Sequence, residues 1–184
     1  MGVYCDLIRL TDQDLQRCLT LSTRQELCTL VEQGRGDDWF DIDKAWHGIH
    51  YILNSRFSTE IEPLDFLLRG GNLLTPDNNW RDLIGLDLPD MRAFESIQVK
   101  AIAMALASVT EDEFRRRYQP EKMTARQIYP GAWEERHQFL NWVLAKYLKF
   151  SARLDYLLFH FIRLREFLTG AVDNNMGLVI KYHQ

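Results

Sequence analysis

The chain has 184 residues, of which 46% are hydrophobic, 26% charged and 12% aromatic, with a formal net charge of −4. A domain of this size buries roughly 70% of its unfolded surface and needs no disulfide or metal staple. The acidic balance excludes the broad basic field of a nucleic-acid binder, and the longest run without Asp, Glu, Lys or Arg, residues 45–55, falls short of the roughly 20 residues that cross a bilayer.

In chain order, residues 3–10 mix β-branched and aromatic side chains and predict a strand. Thr11 opens a helix with acidic residues in its first turn. Thr23 and Glu26 form a capping box, a hydroxyl at the N-cap and a carboxylate three residues on. The helix that follows carries Leu27, Leu30 and Val31 on one face and stops at Gly34. Residues 35–40 read as a polar connection, and residues 42–54 as a third helix with Asp41 as N-cap. Residues 63–68 predict a short helix closed by Gly70 and Gly71. Residues 72–90, with Pro76, Gly85 and Pro89, read mainly as loop with two short apolar pieces, long enough to cover a site.

Residues 91–95 predict a short strand. Ser96 is expected to cap a helix reaching Ser108, with Ile97, Ala101, Met104 and Leu106 among its apolar positions. Thr110 and Glu113 make a second capping box, and that helix ends before Pro120. Tyr129, Pro130 and Gly131 mark a sharp boundary. Residues 133–168 form the largest helical block, long enough to suggest two helices broken near residues 149–153, or one curved helix. Its apolar positions include Phe139, Val143, Tyr147 and Phe150, then Leu154, Leu157, Leu158, Phe161 and Leu168. Asp173, Asn174 and Asn175 give a turn, and residues 177–182 a closing strand. There is no repeat or linker, so the expectation is one α+β domain over residues 1–184.

The three cysteines, Cys5, Cys18 and Cys28, show no CxxC spacing, so reduced thiols in a cytoplasmic protein are expected. The first ten residues lack the basic and apolar regions of a signal peptide. The basic run Arg115, Arg116 and Arg117 follows Glu111, Asp112 and Glu113, and reads as a solvated, nearly neutral helix face.

The stretch "DIDKAWHGIH", residues 41–50, holds two carboxylates, an amine, an indole and two imidazoles. On a helical wheel Ile42, Trp46, Ile49 and Leu53 share the core stripe. Asp43, His47, His50 and Asn54 form a second stripe bordering it, where residues three and four apart can touch. Lys44, Gly48 and Tyr51 fall on the other side. Asp41 and Asp43 suit the positive end of a helix. His47 and His50 with Asp43 have metal-ligand chemistry, with His137, His160 or His183 as remote further ligands. Their three-residue gap departs from the two-histidine helical zinc signature, and a hydrogen-bonded core pair accounts for them, so no metal or other cofactor is expected. Trp46 is expected in the core with its indole N–H partnered.

These residues resemble the aspartate–apolar–aspartate–lysine–x–tryptophan segment of the YfbM-like bacterial proteins, a family of unknown function. The Met-Gly opening before a strand, the "QIYPG" of residues 127–131 after "EFRRRY" and "PEKM", and the Gly-led strand after a long helix extend the resemblance over nearly the whole chain. The resemblance implies a single α+β domain, a small mixed sheet flanked by several helices, and marks Asp41, Asp43, Lys44, Trp46, His50, Tyr129 and Pro130 as family-typical. It implies no established activity.

Two functions compete. One is a cytoplasmic binding or interaction protein with a polar cleft beside the 41–50 helix, the indole of Trp46 anchored inward and the carboxylate and imidazoles at the cleft's rim. Asp43, Lys44, Trp46, His47, His50 and Tyr129 are its candidate ligand-binding residues. A protein or a small polar molecule is the expected partner, not nucleic acid or membrane, and the chain is expected to be a monomer or weak homodimer. The alternative is a small hydrolase or transferase in which Asp43 orients His47 or His50 and Lys44 steadies negative charge. No nucleophile elbow, Walker loop or dinucleotide fingerprint supports a more specific reaction.

Overall fold

Strand β1 (Tyr4–Leu10) sets the plan of the molecule through its alternation. Cys5 and Leu7 point into one core, Ile8 and Leu10 into another, as the two-residue period of a strand requires. The structure is a computed structural model that describes residues 2–33, 36–54, 63–74, 80–83, 86–89, 91–131, 133 and 152–184.

Helix α1 (Asp12–Thr20) follows β1 directly, with the Thr11 hydroxyl accepting from the Asp14 N–H. Helix α2 (Arg24–Glu32) is capped by Thr23, which accepts from the Glu26 N–H. The expected stop at Gly34 lies outside the described residues. Leu15, Cys18, Leu27 and Val31 of these two helices cover one face of the sheet, against Ile8, Leu10, Met91, Ala93 and Val179.

The next segment departs from expectation. Residues 39–41 form a strand, β2 (Trp39–Asp41), paired antiparallel with β1 through Asp6 and Asp41. Helix α3 (Trp46–Asn54) begins later than residue 42. Asp41 therefore ends a strand and does not cap α3, and residues 42–45 make a turn. The expected short helix at residues 63–68 is a run of turns, closed by Gly70 and Gly71 at φ +74 and +71.

Residues 72–90 contain three short strands where a loop was expected: β3 (Asn72–Leu73), β4 (Trp80–Leu83) and β5 (Leu86–Pro89). The last two pair as a hairpin of their own. Strand β6 (Met91–Phe94) lies where a strand was predicted.

Helix α4 (Ser96–Ala107) is capped one residue earlier than expected, by Glu95 in a reciprocal box with Gln98. Its buried positions are Val99, Ile102 and Leu106, while Ile97 and Met104 are about two-thirds exposed. Helix α5 (Glu111–Arg117) has the predicted Thr110 cap. Helix α6 (Pro120–Ala125) follows, with Pro120 in its first turn, where the missing N–H costs nothing. The Tyr129-Pro130 peptide is cis.

The apolar positions expected at Phe139, Val143, Tyr147 and Phe150 lie outside the described residues. Helix α7 (Ala152–Asp173) buries Leu157, Leu158, Phe161, Leu164 and Leu168. Asn175, at φ +51, turns the chain into β7 (Gly177–His183).

The α+β class expected from the sequence is the class the chain adopts. The five-stranded sheet has the order β2-β1-β7-β6-β3, and every described pair is antiparallel. The expected mixed sheet is thus corrected to an antiparallel one. A parallel pair needs a crossover that re-enters the sheet from the same end, and here the connections return each strand against its neighbour. The last strand of the chain is the central one. On its second face Leu178, Ile180 and Tyr182 join α3, α4, α5 and α7 in the larger core.

Candidate functional site

The turn before α3 and the helix itself place the residues singled out by the sequence. All nine residues of α3 are buried, so Asp43, His47, His50 and Asn54 do not run along an open rim. His47 is 8% exposed and His50 is 4% exposed. Asn54 Nδ2 donates to the His50 carbonyl (3.0 Å) and to the Leu64 carbonyl (3.1 Å), turning that end of the stripe inward.

Trp46 is fully buried, as expected, and its indole N–H donates to the Val3 carbonyl at 3.2 Å. Its ring stacks on His47 (5.1 Å between centroids) and on Tyr129 (5.8 Å), and meets Tyr182 edge-on (5.1 Å). Tyr129 closes the same knot from the far side. Its hydroxyl accepts the Val3 N–H (2.8 Å), and its own N–H donates to His47 Nδ1 (3.1 Å). Accepting at Nδ1 places the proton of a neutral imidazole on Nε2. Burial, aided by His50, lowers the His47 pKa to about 4, because a low-dielectric surround disfavours the imidazolium. The structure brings Trp46, His47 and Tyr129 together as a clamp that ties the entry of β1 to α3 and the 127–131 turn.

The other half of the cluster faces outward. Asp43 sits at φ +52, in the left-handed region that few non-glycine residues occupy. Four hydrogen bonds hold it and its neighbour. Asp41 Oδ1 accepts the Asp43 N–H (2.6 Å), and the Tyr156 hydroxyl donates to Asp43 Oδ2 (2.8 Å). That hydroxyl accepts the Lys44 N–H (3.2 Å), while the Asp43 carbonyl accepts the Cys5 N–H (3.3 Å). Burial, then the Asp43 carboxylate, pushes the Tyr156 phenol well above its ordinary pKa. Lys44 Nζ lies 4.9 Å from the centre of the Tyr4 ring. Its pKa is raised, first by a hydrogen bond with Tyr4.

His160, one turn along α7 from Tyr156, meets that ring edge-on at 4.7 Å. Its Nδ1 is buried with no hydrogen-bond partner among the described residues. Burial lowers its pKa, opposed by the fields of Asp43 and Asp41.

Tyr156 was not singled out by the sequence, and His160 was considered only as a remote metal ligand. Each sits more than 100 positions from the turn, and an aromatic helix gives no local signal of such a contact. His183 lies apart, paired with Asp6 at 3.1 Å. Among the described residues no three His, Cys, Asp or Glu side chains gather as a metal site; His137 falls outside them. None of the three hollows lined by described residues includes Asp43, Lys44, His47 or His50. No described helix is long and apolar enough to cross a membrane.

The fold is similar to that in the crystal structure of YfbM from Escherichia coli, a protein of unknown function. The TM-score is 0.63 at 13% sequence identity, over 98% of this chain and 99% of that one. Identity so low shows a common fold alone. No curated protein matches the chain. The family described as "Domain of unknown function (DUF1877)" matches residues 1–181, and the chain belongs to it.

Proposed function

We propose that the chain is a cytoplasmic binding protein whose ligand docks on the turn of residues 41–44. The ligand is a small polar molecule, or a side chain of a protein partner, that presents a cationic hydrogen-bond donor. Asp41 and Asp43 accept it, and Lys44 and Tyr156 fix the geometry. Trp46, His47, His50 and Tyr129 hold the turn from within. The three free thiols fit a reducing compartment.

One observation carries the reading: Asp43 is held in a left-handed conformation by contacts from three separate parts of the chain. Such strain costs on the order of 1–3 kcal/mol and persists where the surroundings over-determine it, as at ligand clamps. A turn fixed in advance loses little entropy when a ligand arrives. His47 speaks against catalysis in residues 41–50. An acid–base group works best with a pKa near the working pH, and His47 is buried, engaged by the Tyr129 amide and held neutral.

Putrescine, a small diamine, is the probe. Titration followed by amide NMR is expected to shift residues 41–45 saturably. Asp43→Gly, which keeps a left-handed turn but lacks the carboxylate, is expected to weaken binding roughly tenfold, the worth of one charge-assisted hydrogen bond. Absence of shifts in that turn at millimolar putrescine sinks the reading.

A second reading, acid–base hydrolysis, is favoured by His160 Nδ1, which has no partner among the described residues and lies beside the Tyr156–Asp43 pair. It predicts hydrolysis of p-nitrophenyl acetate that is lost in His160→Gln. An unchanged rate in that variant removes it.

A further inference from the structure

A hollow of about 240 Å³, sharing no lining residue with the acidic turn, opens between the 63–71 turns and α4. Its walls are Phe66, Phe94, Ala101 and Ile102, and its polar lining includes Arg69 and Gln98. Gly70 and Gly71 form its lip, and neither donates its amide to a described acceptor. Glycine is required there: a Cβ on Gly71 would lie 2.6 Å from the Ala93 carbonyl oxygen and 3.0 Å from the Phe94 ring. Gln98 offers its Oε1 to the Glu95 N–H at 2.9 Å, which leaves its amide NH₂ with no described acceptor.

Directly behind this lip lies Arg92, 2% exposed. Its guanidinium donates to the carbonyls of Gly70 (3.2 Å) and Leu67 (2.8 Å) and to the Tyr182 hydroxyl (3.3 Å), and sits 5.6 Å from the Phe94 ring centre. Nε is buried with no acceptor among the described residues. No carboxylate pairs with it among the described residues, whereas the other buried arginine, Arg117, holds Glu113 at 2.6 Å. Cys5 and Tyr182 supply no counter-charge, since burial raises the pKa of both and keeps them neutral. Asp65, the acid in the lining, is buried and engaged by a partner of its own. A buried cation without an anion is costly and draws an anion to the nearest accessible surface.

We propose that this hollow is a binding site for a small amphipathic carboxylate. The apolar body packs on Phe66, Phe94 and Ile102. The carboxylate accepts from the Gly70 and Gly71 amides and the Gln98 NH₂, in the field of Arg92 and Arg69. The site stands apart from the acidic turn and does not depend on it.

The test uses the full chain and three probes: benzoate, benzyl alcohol and inorganic phosphate. Benzoate is expected to shift the amides of Gly70 and Gly71 and the side-chain NH₂ of Gln98 saturably. Benzyl alcohol, of similar shape but uncharged, is expected to bind at least about tenfold more weakly, the worth of one charge-assisted hydrogen bond. Ala101→Phe fills the hollow from an exposed helix position and is expected to abolish the benzoate shifts while leaving the rest of the spectrum folded. Arg92→Met is expected to remove the preference for benzoate over benzyl alcohol. If that variant does not fold, the probe pair and Ala101→Phe still decide. Equal affinity for benzoate and benzyl alcohol overturns the proposal. So does a response to phosphate without one to benzoate, or benzoate binding that survives Ala101→Phe.

Discussion

His47 shows how one residue can look like a catalyst and act as a brace. Its folded pKa of about 4 lies below the ordinary 6.5. On acidification the unfolded chain binds a proton first, so the stability His47 contributes is complete above about 6.5 and is lost as the pH falls towards 4. The loss is on the order of 3 kcal/mol, from a shift of that size in a largely buried group. His160, lowered by burial too, acts in the same sense, so the informative comparison is with His47→Gln, which keeps an acceptor for the Tyr129 amide. Urea midpoints of the wild type are expected to fall more steeply over that pH window than those of the variant. Parallel curves would mean His47 titrates normally.

Val3 offers a second test at the same scale, since Trp46 and Tyr129 satisfy its carbonyl and its amide. Trp46→Phe strands a buried carbonyl and removes ring area, and is expected to cost about 1–3 kcal/mol for the polar term alone. Tyr129→Phe is expected to cost about 1 kcal/mol. Because both act through Val3, a double-mutant cycle in urea is expected to show the pair costing less than the sum. Strict additivity would show that the two contacts are independent.

At the scale of elements, α3 is a helix buried on every side, and Gly48 marks the tightest contact. A Cβ there would lie 2.7 Å from Trp133 Cη2 and 2.9 Å from Leu157 Cδ2. Gly48→Ala should gain about 1 kcal/mol of helix propensity and lose more to overpacking, which typically costs about 1–3 kcal/mol. The expected outcome is a lower thermal midpoint, and a rise would show that Trp133 yields. The sequence placed Gly48 on the outer side of the wheel, because nothing local announces a tryptophan 85 positions away.

The same contrast runs through the other elements. The threonine caps at Thr11, Thr23 and Thr110 were legible because a cap is written within four residues. The buried face of α4 was not legible because apolar residues surround that helix, so Ile97 and Met104 qualify on paper as well as Val99 and Ile102. The start of α3 was misplaced because Asp41 reads as a helix cap, while Tyr156 and the pairing with β1 hold residues 41–45 in strand and turn. The resemblance marked Trp46 and Tyr129 as family-typical, but their stacking, between residues 83 positions apart, has no local signal. Arg92 left no trace, since its lack of a carboxylate partner among the described residues is a property of three-dimensional surroundings.

For the whole molecule, the order β2-β1-β7-β6-β3 makes the last strand of the chain the keystone. Without β7 the strands β1 and β6 have no common neighbour, and the two cores on either face of the sheet lose Leu178, Val179 and Ile180 together. The edges are short: β2 has three residues and β3 two. Fraying should therefore begin at the edges and stop at β1 and β7, whose full-length pairing runs from Tyr4–His183 to Leu10–Gly177. Hydrogen exchange is expected to be slowest for ladder amides among Leu7, Ile8, Leu178, Val179 and Ile180, all fully buried. These amides should open only with global unfolding. Amides of β2 and β3 are expected to exchange through local opening, at rates insensitive to Gly48→Ala, whereas the central ones should quicken in proportion to the stability that variant loses. Should α7 outlast β7 in such an experiment, the helical layer would be the last unit to open, and the sheet would be assembled upon it instead of organising it.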